Sequence, residues 1–454
     1  MIQSRNSQVQ DLLQSRMSFL SNSRIDSLPT VWLAIVLLGI GTAGCDSVGD
    51  RFESNRIFAK RWELTESIDL SEPLADSEVV LTEFFGTPDE PKWPKFLNAG
   101  KGELVSLQNL ERVAGAFSSG EKGEHKGLFR EHCVVCHGVN GNGRGPSSAL
   151  LTPYPRDFRL GKVKFKSTPI GHKPTKEDLK KILHRGIAGT SMPSFSTLVP
   201  EDIDALVDYV IYLSIRGELE RKLIRDAAIE LDLEGGERLY DPGSKEKYPE
   251  EFAEVRGRIE EWAVDIQESW FAAENAVVNV VGPPKGFPLV GSGVDAKAAA
   301  ASVANGKKLF QGTIASCAFC HGAEAEGDGQ THNYDDWTRE WTVMAGLNPK
   351  DKQSLEPMVN LGALKPTNIF PRNLTMGVFH GGSSPEELYT RIVNGIEGTG
   401  MPAAPLKPAN SQGLTNEEVW DLVNYLRSFL PVEDQSLESQ ETNSDSFSEE
   451  DASK

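Results

Sequence analysis

Two copies of the pattern Cys-x-x-Cys-His constrain this chain more than any other feature: CVVCH from Cys133 to His137 and CAFCH from Cys317 to His321. They use four of the five cysteines, and the fifth, Cys45, stands apart. Two thiols at this spacing can add to the two vinyl groups of a haem, and the histidine that follows then lies under the iron as its proximal ligand. A structural zinc site needs four ligands, and neither pair has further cysteines nearby to complete one. A redox dithiol has no need of a histidine directly after the second cysteine, twice over. The expectation is two haem c groups, held by Cys133, Cys136 and His137 and by Cys317, Cys320 and His321. A chain of 454 residues can bury the two or three separate cores that such groups require.

The sequence around the two motifs repeats. A Leu-Phe pair precedes each, at Leu128-Phe129 and Leu309-Phe310, and a glycine-rich turn follows each. Next come Tyr154-Pro155-Arg156-Asp157 and Phe370-Pro371-Arg372-Asn373, then helix starts with capping signatures at Thr175 to Asp178 and Ser384 to Glu387. Those helices run into Gly186 to Pro193 (GIAGTSMP) and Gly395 to Pro402 (GIEGTGMP). Each unit closes with an amphipathic helix, striped by Ile203, Leu206, Val207, Val210 and Ile211 or by Val419, Leu422, Val423, Leu426 and Leu430.

On these residues each unit resembles a class I cytochrome c domain, a small helical fold. The resemblance implies a mainly α protein of two such domains joined by a helical connector. It implies Met192 and Met401 as second axial ligands of the two irons, opposite His137 and His321, with Met358 and Met376 as rivals in the second domain. It implies that Phe129 and Phe310 meet Tyr209 and Tyr425 where first and last helices cross. It also implies that the carbonyls of Pro155 and Pro371 accept the proximal imidazole protons, while Arg156 and Arg372 either pair with haem propionates or face solvent. His172, His184, His332 and His380 are surface histidines if the methionines are ligands. Lys162, Lys164 and Lys166 alternate along one face, as either a docking edge for a redox partner or a solvated strand.

The expected order is a signal or lipoprotein segment (1–45), an N-terminal extension (46–117), the first cytochrome c domain (118–217), a helical connector (218–300), the second domain (301–432) and a disordered acidic tail (433–454). The tail has eight acidic residues and one basic. The apolar run from Val31 to Gly44 is too short to cross a bilayer comfortably and ends at Cys45. This looks like a bacterial lipoprotein signal with Cys45 lipidated, against an ordinary cleaved signal or an uncleaved anchor. Residues 46–117 hold a turn-rich stretch from Leu81 to Pro88 that either packs on the first domain or binds a membrane complex.

A formal charge of −19 argues against nucleic acid as a partner, because phosphate binding needs clustered Lys and Arg. His/Met ligation leaves no open iron position, and a thioether ligand raises the reduction potential. Such sites imply electron transfer at the periplasmic face of a bacterial membrane, within a respiratory chain. The partners would be a membrane respiratory complex, an oxidase or a reductase. The alternative is a di-haem oxidoreductase of the peroxidase or thiosulfate-oxidising type, which needs one iron with a displaceable ligand.

Overall fold

The computed structural model describes residues 50–98, 102–120, 125–293, 295–330, 334–407 and 412–435. Cys45, the apolar run before it, His332 and most of the acidic tail lie outside these residues. The described residues form one compact unit and are mainly helical.

The second domain shows the plan in its simpler form. Its first helix, Ala296–Gln311, is started by Asp295, whose side chain accepts from the Lys297 amide, and it crosses the closing helix Asn416–Arg427. The crossing is close because Gly306 has no side chain: a Cβ there would lie 2.0 Å from the Asp421 carbonyl oxygen. Polar side chains fix the register. Asn305 Nδ2 donates to Asp421 Oδ2 at 2.5 Å, and Asn424 Nδ2 donates to Ser302 Oγ at 2.8 Å. Phe310 then meets Tyr425 edge-on, with ring centroids 5.3 Å apart.

The first domain repeats the crossing with its first helix broken in two. Leu107–Val113 packs on the closing helix Pro200–Glu230, and Ser106 N and Asn109 Nδ2 donate to Asp208 Oδ2 at 3.0 and 2.7 Å. The chain then leaves through an antiparallel pair, Ser118–Ser119 with His125–Lys126, and returns as Leu128–His132. Phe129 thereby reaches Tyr209 at 4.9 Å, the contact that Phe310 makes in the second domain. The helical crossing therefore starts near 107, ahead of the expected start at 118, because a hairpin insertion hid the first half from the repeat.

The segments flanking the first domain share its core. The Leu81 to Phe85 stretch is the end of a helix, Ser71–Phe85, and not turns. Leu81, Phe84 and Phe85 are buried with Leu206 and Tyr212, and Tyr212 Oη donates to the Phe85 carbonyl at 2.6 Å. The closing helix runs without a break through residue 217, so the connector begins inside it. The next helix, Pro249–Phe271, turns Phe252, Ile259 and Trp270 into the same core, which makes its aromatic stripe a packed face. The chain then lies along the second domain's closing helix, where Trp420 Nε1 donates to the Val281 carbonyl at 2.9 Å. Val432–Gln435 is helical, and Arg427 holds the Gln435 carbonyl at 2.7 Å, so the first residues assigned to the tail belong to the fold.

Gly306→Val should force the second crossing apart and destabilise that domain by about 1–3 kcal/mol. Gly257→Ala, in a helix with nothing within 4 Å of the added carbon, should gain about 0.5–1 kcal/mol. Thermal unfolding of both variants beside the parent checks the pair; an unshifted Gly306→Val midpoint would remove close approach as the basis of the crossing.

Candidate functional site

Each Cys-x-x-Cys-His unit is a single turn of helix, Val134–His137 after Cys133 in the first domain and Cys317–His321 in the second. No disulfide joins any of these four cysteines. Burial raises Cys133 to about 12 and Cys317 to about 11, so both stay protonated at neutral pH. Among the described residues no group of three or more His, Cys, Asp or Glu is placed to hold a metal ion.

The imidazoles are held alike. His137 Nδ1 lies 3.0 Å from the Arg156 carbonyl oxygen, and His321 Nδ1 lies 3.1 Å from that of Arg372. A carbonyl can only accept, so Nδ1 carries the proton and Nε2 keeps its lone pair for a metal. Burial, opposed by the Arg156 carbonyl, lowers His137 to about 4 and shifts His321 in the same direction, which keeps both rings neutral. The acceptor is one residue beyond the expected prolines. The Pro155 and Pro371 carbonyls are turned to the glycine turns instead, where a Cβ on Gly143 or Gly327 would lie 2.5 or 2.6 Å from them. Both glycines have positive φ, and the turn closes by Gly143 N to His137 O at 2.9 Å and Gly327 N to His321 O at 2.8 Å.

The methionine loops match bond for bond. Met192 N donates to Thr190 Oγ1 at 3.1 Å, Thr190 Oγ1 donates to the Ile187 carbonyl at 2.8 Å, and Ile187 N donates to the Met192 carbonyl at 3.1 Å. Met401, Thr399 and Ile396 repeat the three bonds at 3.1, 2.9 and 3.0 Å. The helix before each loop starts with a full capping box, on Thr175 and Asp178 or Ser384 and Glu387. The rivals stand elsewhere: Met376 is 69% exposed, and Met358 is buried in a separate small core with Ala345 and Ala363. His172 and His184 are exposed.

These sites fit a haem c by the chemistry of their donors: two neutral thiols, an imidazole with a free nitrogen, and a thioether on an ordered loop. They differ beside the imidazole. Phe158 stacks on His137 at 4.5 Å, whereas the equivalent residue in the second domain is Leu374.

The two units pack on each other through the segment expected to be a docking edge or a solvated strand. Lys166 and Glu397 form a buried ion pair at 3.0 Å, each about 95% covered. The Gly171 amide also donates to Glu397, at 2.7 Å. Asn394 Nδ2 donates to the Ser167 carbonyl at 3.0 Å, and Arg391 donates to the carbonyls of Lys164 and Lys166. Lys162 pairs with Asp336 at 3.5 Å. The alternating lysines are therefore an internal seam. Burial lowers Lys164 to about 8, helped by the nearby Arg156. Gly189, in the first methionine loop, abuts His380 and Arg372 of the second domain, and Arg372 donates to His380. Arg156 of the first domain lies over the Trp337 ring, 3.3 Å from its centroid, and that ring fills the space beside Gly398 in the second methionine loop. Sequence reasoning missed Trp337 and Glu397, whose partners are far away in the chain, and His380, expected at the surface, is instead half-buried at this seam.

A model of the family described as Cytochrome c matches residues 124–214 and 303–429. No curated protein matches the chain significantly. Among solved structures, a chain of the reducing HAO-like protein complex of Kuenenia stuttgartiensis aligns at 24% identity, covering 69% of this chain and 98% of its own, with a TM-score of 0.40.

Burial opposes ionisation of Glu397, but the Gly171 amide and Lys166 outweigh it and hold the carboxyl below its ordinary 4.5. The folded value is the lower one, so the carboxylate's contribution is complete at neutral pH and is lost as the pH falls below that ordinary value, while on the lysine side burial outweighs Glu397 and lowers Lys166. Glu397→Gln would leave Lys166 buried without a counter-charge and should cost about 3 kcal/mol. Urea unfolding at pH 7 and pH 4 checks this, with the gap between parent and variant narrowing at the lower pH; a variant as stable as the parent at pH 7 would show that the pair does not secure the seam.

Proposed function

We propose that this chain, which carries two cytochrome c domains, binds two haem c groups with His/Met ligation and passes single electrons between redox proteins. The matching sets of bonds around His137 and Met192 and around His321 and Met401 carry this reading. Haem c supplies a one-electron iron couple when bound. Cys133 and Cys136, and Cys317 and Cys320, would fix the macrocycle covalently. The Arg156 and Arg372 carbonyls orient the proximal rings and make their nitrogens better donors. The threonine-pinned loops present Met192 and Met401 without a flexible tether, which leaves neither site open to substrate.

The matching hydrogen bonds of the two methionine loops favour electron transfer over catalysis. The oxidoreductase alternative needs one loop that releases its methionine, and the two have the same hydrogen bonds. We place the protein on the outer face of a bacterial membrane, lipid-anchored through Cys45, with a respiratory complex, oxidase or reductase as its partner. No helix among the described residues is long and apolar enough to cross a membrane. The cysteine after the short apolar run supports lipid attachment, and Cys45→Ser should shift the protein to the soluble fraction; unchanged membrane association would assign the anchor to the apolar run.

Met401→Ala should abolish the sulfur-to-iron charge-transfer band of one haem and lower its potential, while Met376→Ala leaves both unchanged. The parent should show no peroxide or thiosulfate turnover. Loss of the band in Met376→Ala instead would move the ligand out of the Gly395 to Pro402 loop, and turnover by the parent would favour the oxidoreductase.

A further inference from the structure

The two sites share their hydrogen bonds but not what surrounds the proximal imidazole. Gly141 and Ala325 hold the same place after His137 and His321, and both have a φ of 64°. Each carbonyl accepts an equivalent amide, Phe158 N to Gly141 O at 2.7 Å and Leu374 N to Ala325 O at 2.8 Å. The side chains then part. Glycine at 141 leaves room for the Phe158 ring, since a Cβ there would lie 2.7 Å from Cδ2 of that ring. The ring stacks on His137 at 4.5 Å with an interplanar angle of 18°. At the second site the Ala325 methyl and Leu374 replace that pair, and Phe310 stands 6.2 Å from His321, tilted by 51°. His137 is buried, and His321 only partly so.

The turns that carry these residues differ in the same sense. Residues 138–145 (GVNGNGRG) contain no carboxylate, and the N-terminal extension lies across them. Asn140 Nδ2 donates to the Glu53 carbonyl at 2.6 Å, and its Oδ1 accepts from the Glu53 amide at 3.2 Å. Both Asn140 and Asn142 are buried. Carboxylates on this side meet cations within the fold: Asp157 receives Nε and Nη2 of Arg159 at 2.9 and 2.7 Å, Glu220 faces Arg216 at 3.7 Å, and Glu53 acts on Arg144. Residues 322–330 (GAEAEGDGQ) are open instead, with Glu324, Glu326 and Asp328 all exposed. Glu324 pairs with Lys307 at 2.6 Å, but Glu326 and Asp328 have no ion pair among the described residues. The Asp328 carboxylate lies against Gly322, directly after His321, while the Arg372 side chain is turned away to His380.

An oxidised haem iron carries one more positive charge than the reduced one. Covered, low-dielectric surroundings therefore favour the reduced state, whereas water and unpaired carboxylates favour the oxidised state. Ring stacking, cover of the turn and unpaired acid all push the two sites apart in one direction. We infer that the sites are unequal: the first, sealed by Phe158 and the N-terminal extension, holds the electron, and the second, open and acidic, takes it from a partner and passes it inward. Phe158 acts through His137 and is a positioning residue. The inference rests on the His/Met reading given above and adds to it an order of potentials and a direction of flow.

Redox titration of the purified full-length protein carrying both haems tests this. Two waves should be resolved, the first site being preferred by about tenfold or more, which is a gap of about 59 mV or more for a one-electron couple. Met401→Ala assigns the waves, because the lower one should be the one that moves. Glu324→Gln with Glu326→Gln and Asp328→Asn should raise the lower wave and leave the upper in place, with a smaller shift at high salt. Gly141→Ala with Phe158→Leu copies the second site's pair onto the first and should lower the upper wave while both haems stay low-spin. Phe158→Leu alone should do the same to a smaller degree, and it keeps the test open if the double variant fails to fold. Glu251→Gln, exposed on the helix Pro249–Phe271, should move neither wave. Coincident waves, the reverse order, or folded variants with both haems and unmoved waves would overturn the inequality. Loss of the methionine charge-transfer band from the parent would instead refute the His/Met reading, and the order of the waves would still test the inequality.

Discussion

The bond from a buried imidazole to a backbone carbonyl, His137 to Arg156 and His321 to Arg372, is the constraint on which the rest of each domain depends. It fixes which nitrogen carries the proton, and so which one can bind iron. To make it, the chain after the Cys-x-x-Cys-His turn must double back against that turn. Glycine is needed at Gly143 and Gly327 because the returning proline carbonyl comes too close for a side chain and φ is positive there. With the proximal side set, the crossing of first and last helices holds the opposite wall in place. Phe129 on Tyr209 and Phe310 on Tyr425 tie the Cys-x-x-Cys-His turn to the closing helix that follows the methionine loop.

The way the domains meet has a physical logic of its own. The methionine loop of each leans on the post-proline arginine region of the other, directly at Gly189 with Arg372 and through Trp337 at Gly398 with Arg156. The seam combines such ring contacts with buried charge. A pair such as Lys166 and Glu397 adds little net stability, but it penalises any docking that leaves one member unpaired. Such an interface favours one relative placement of two electron-transfer sites.

What was legible in the sequence was whatever short-range pattern encodes. Thr175 and Ser384 cap the helices they were expected to cap, the closing helices bury their stripes, and the Phe-Tyr crossings form as the resemblance implied. The imidazole acceptor was placed one residue early because the sequence identifies the Pro-Arg unit but not which peptide faces the ring. Leu107–Val113 went unread because a hairpin separates it from Leu128–His132, leaving no sign in the sequence of the link between them. Lys164 and Lys166 looked solvent-facing because an alternating basic run is ordinarily solvated, and their counter-charge, Glu397, lies more than two hundred residues later. The helices before residue 107 carry apolar residues whose partners, Tyr212 and its neighbours, belong to the closing helix, so their role was settled only by packing.

The central claim is that two alike sites each hold a haem between a histidine and a methionine. An optical redox titration of the purified full-length protein tests it most directly. The account predicts two one-electron waves, both from low-spin haem, each oxidised form carrying the sulfur-to-iron charge-transfer band. One wave only, or a high-spin haem in either oxidation state, would contradict it.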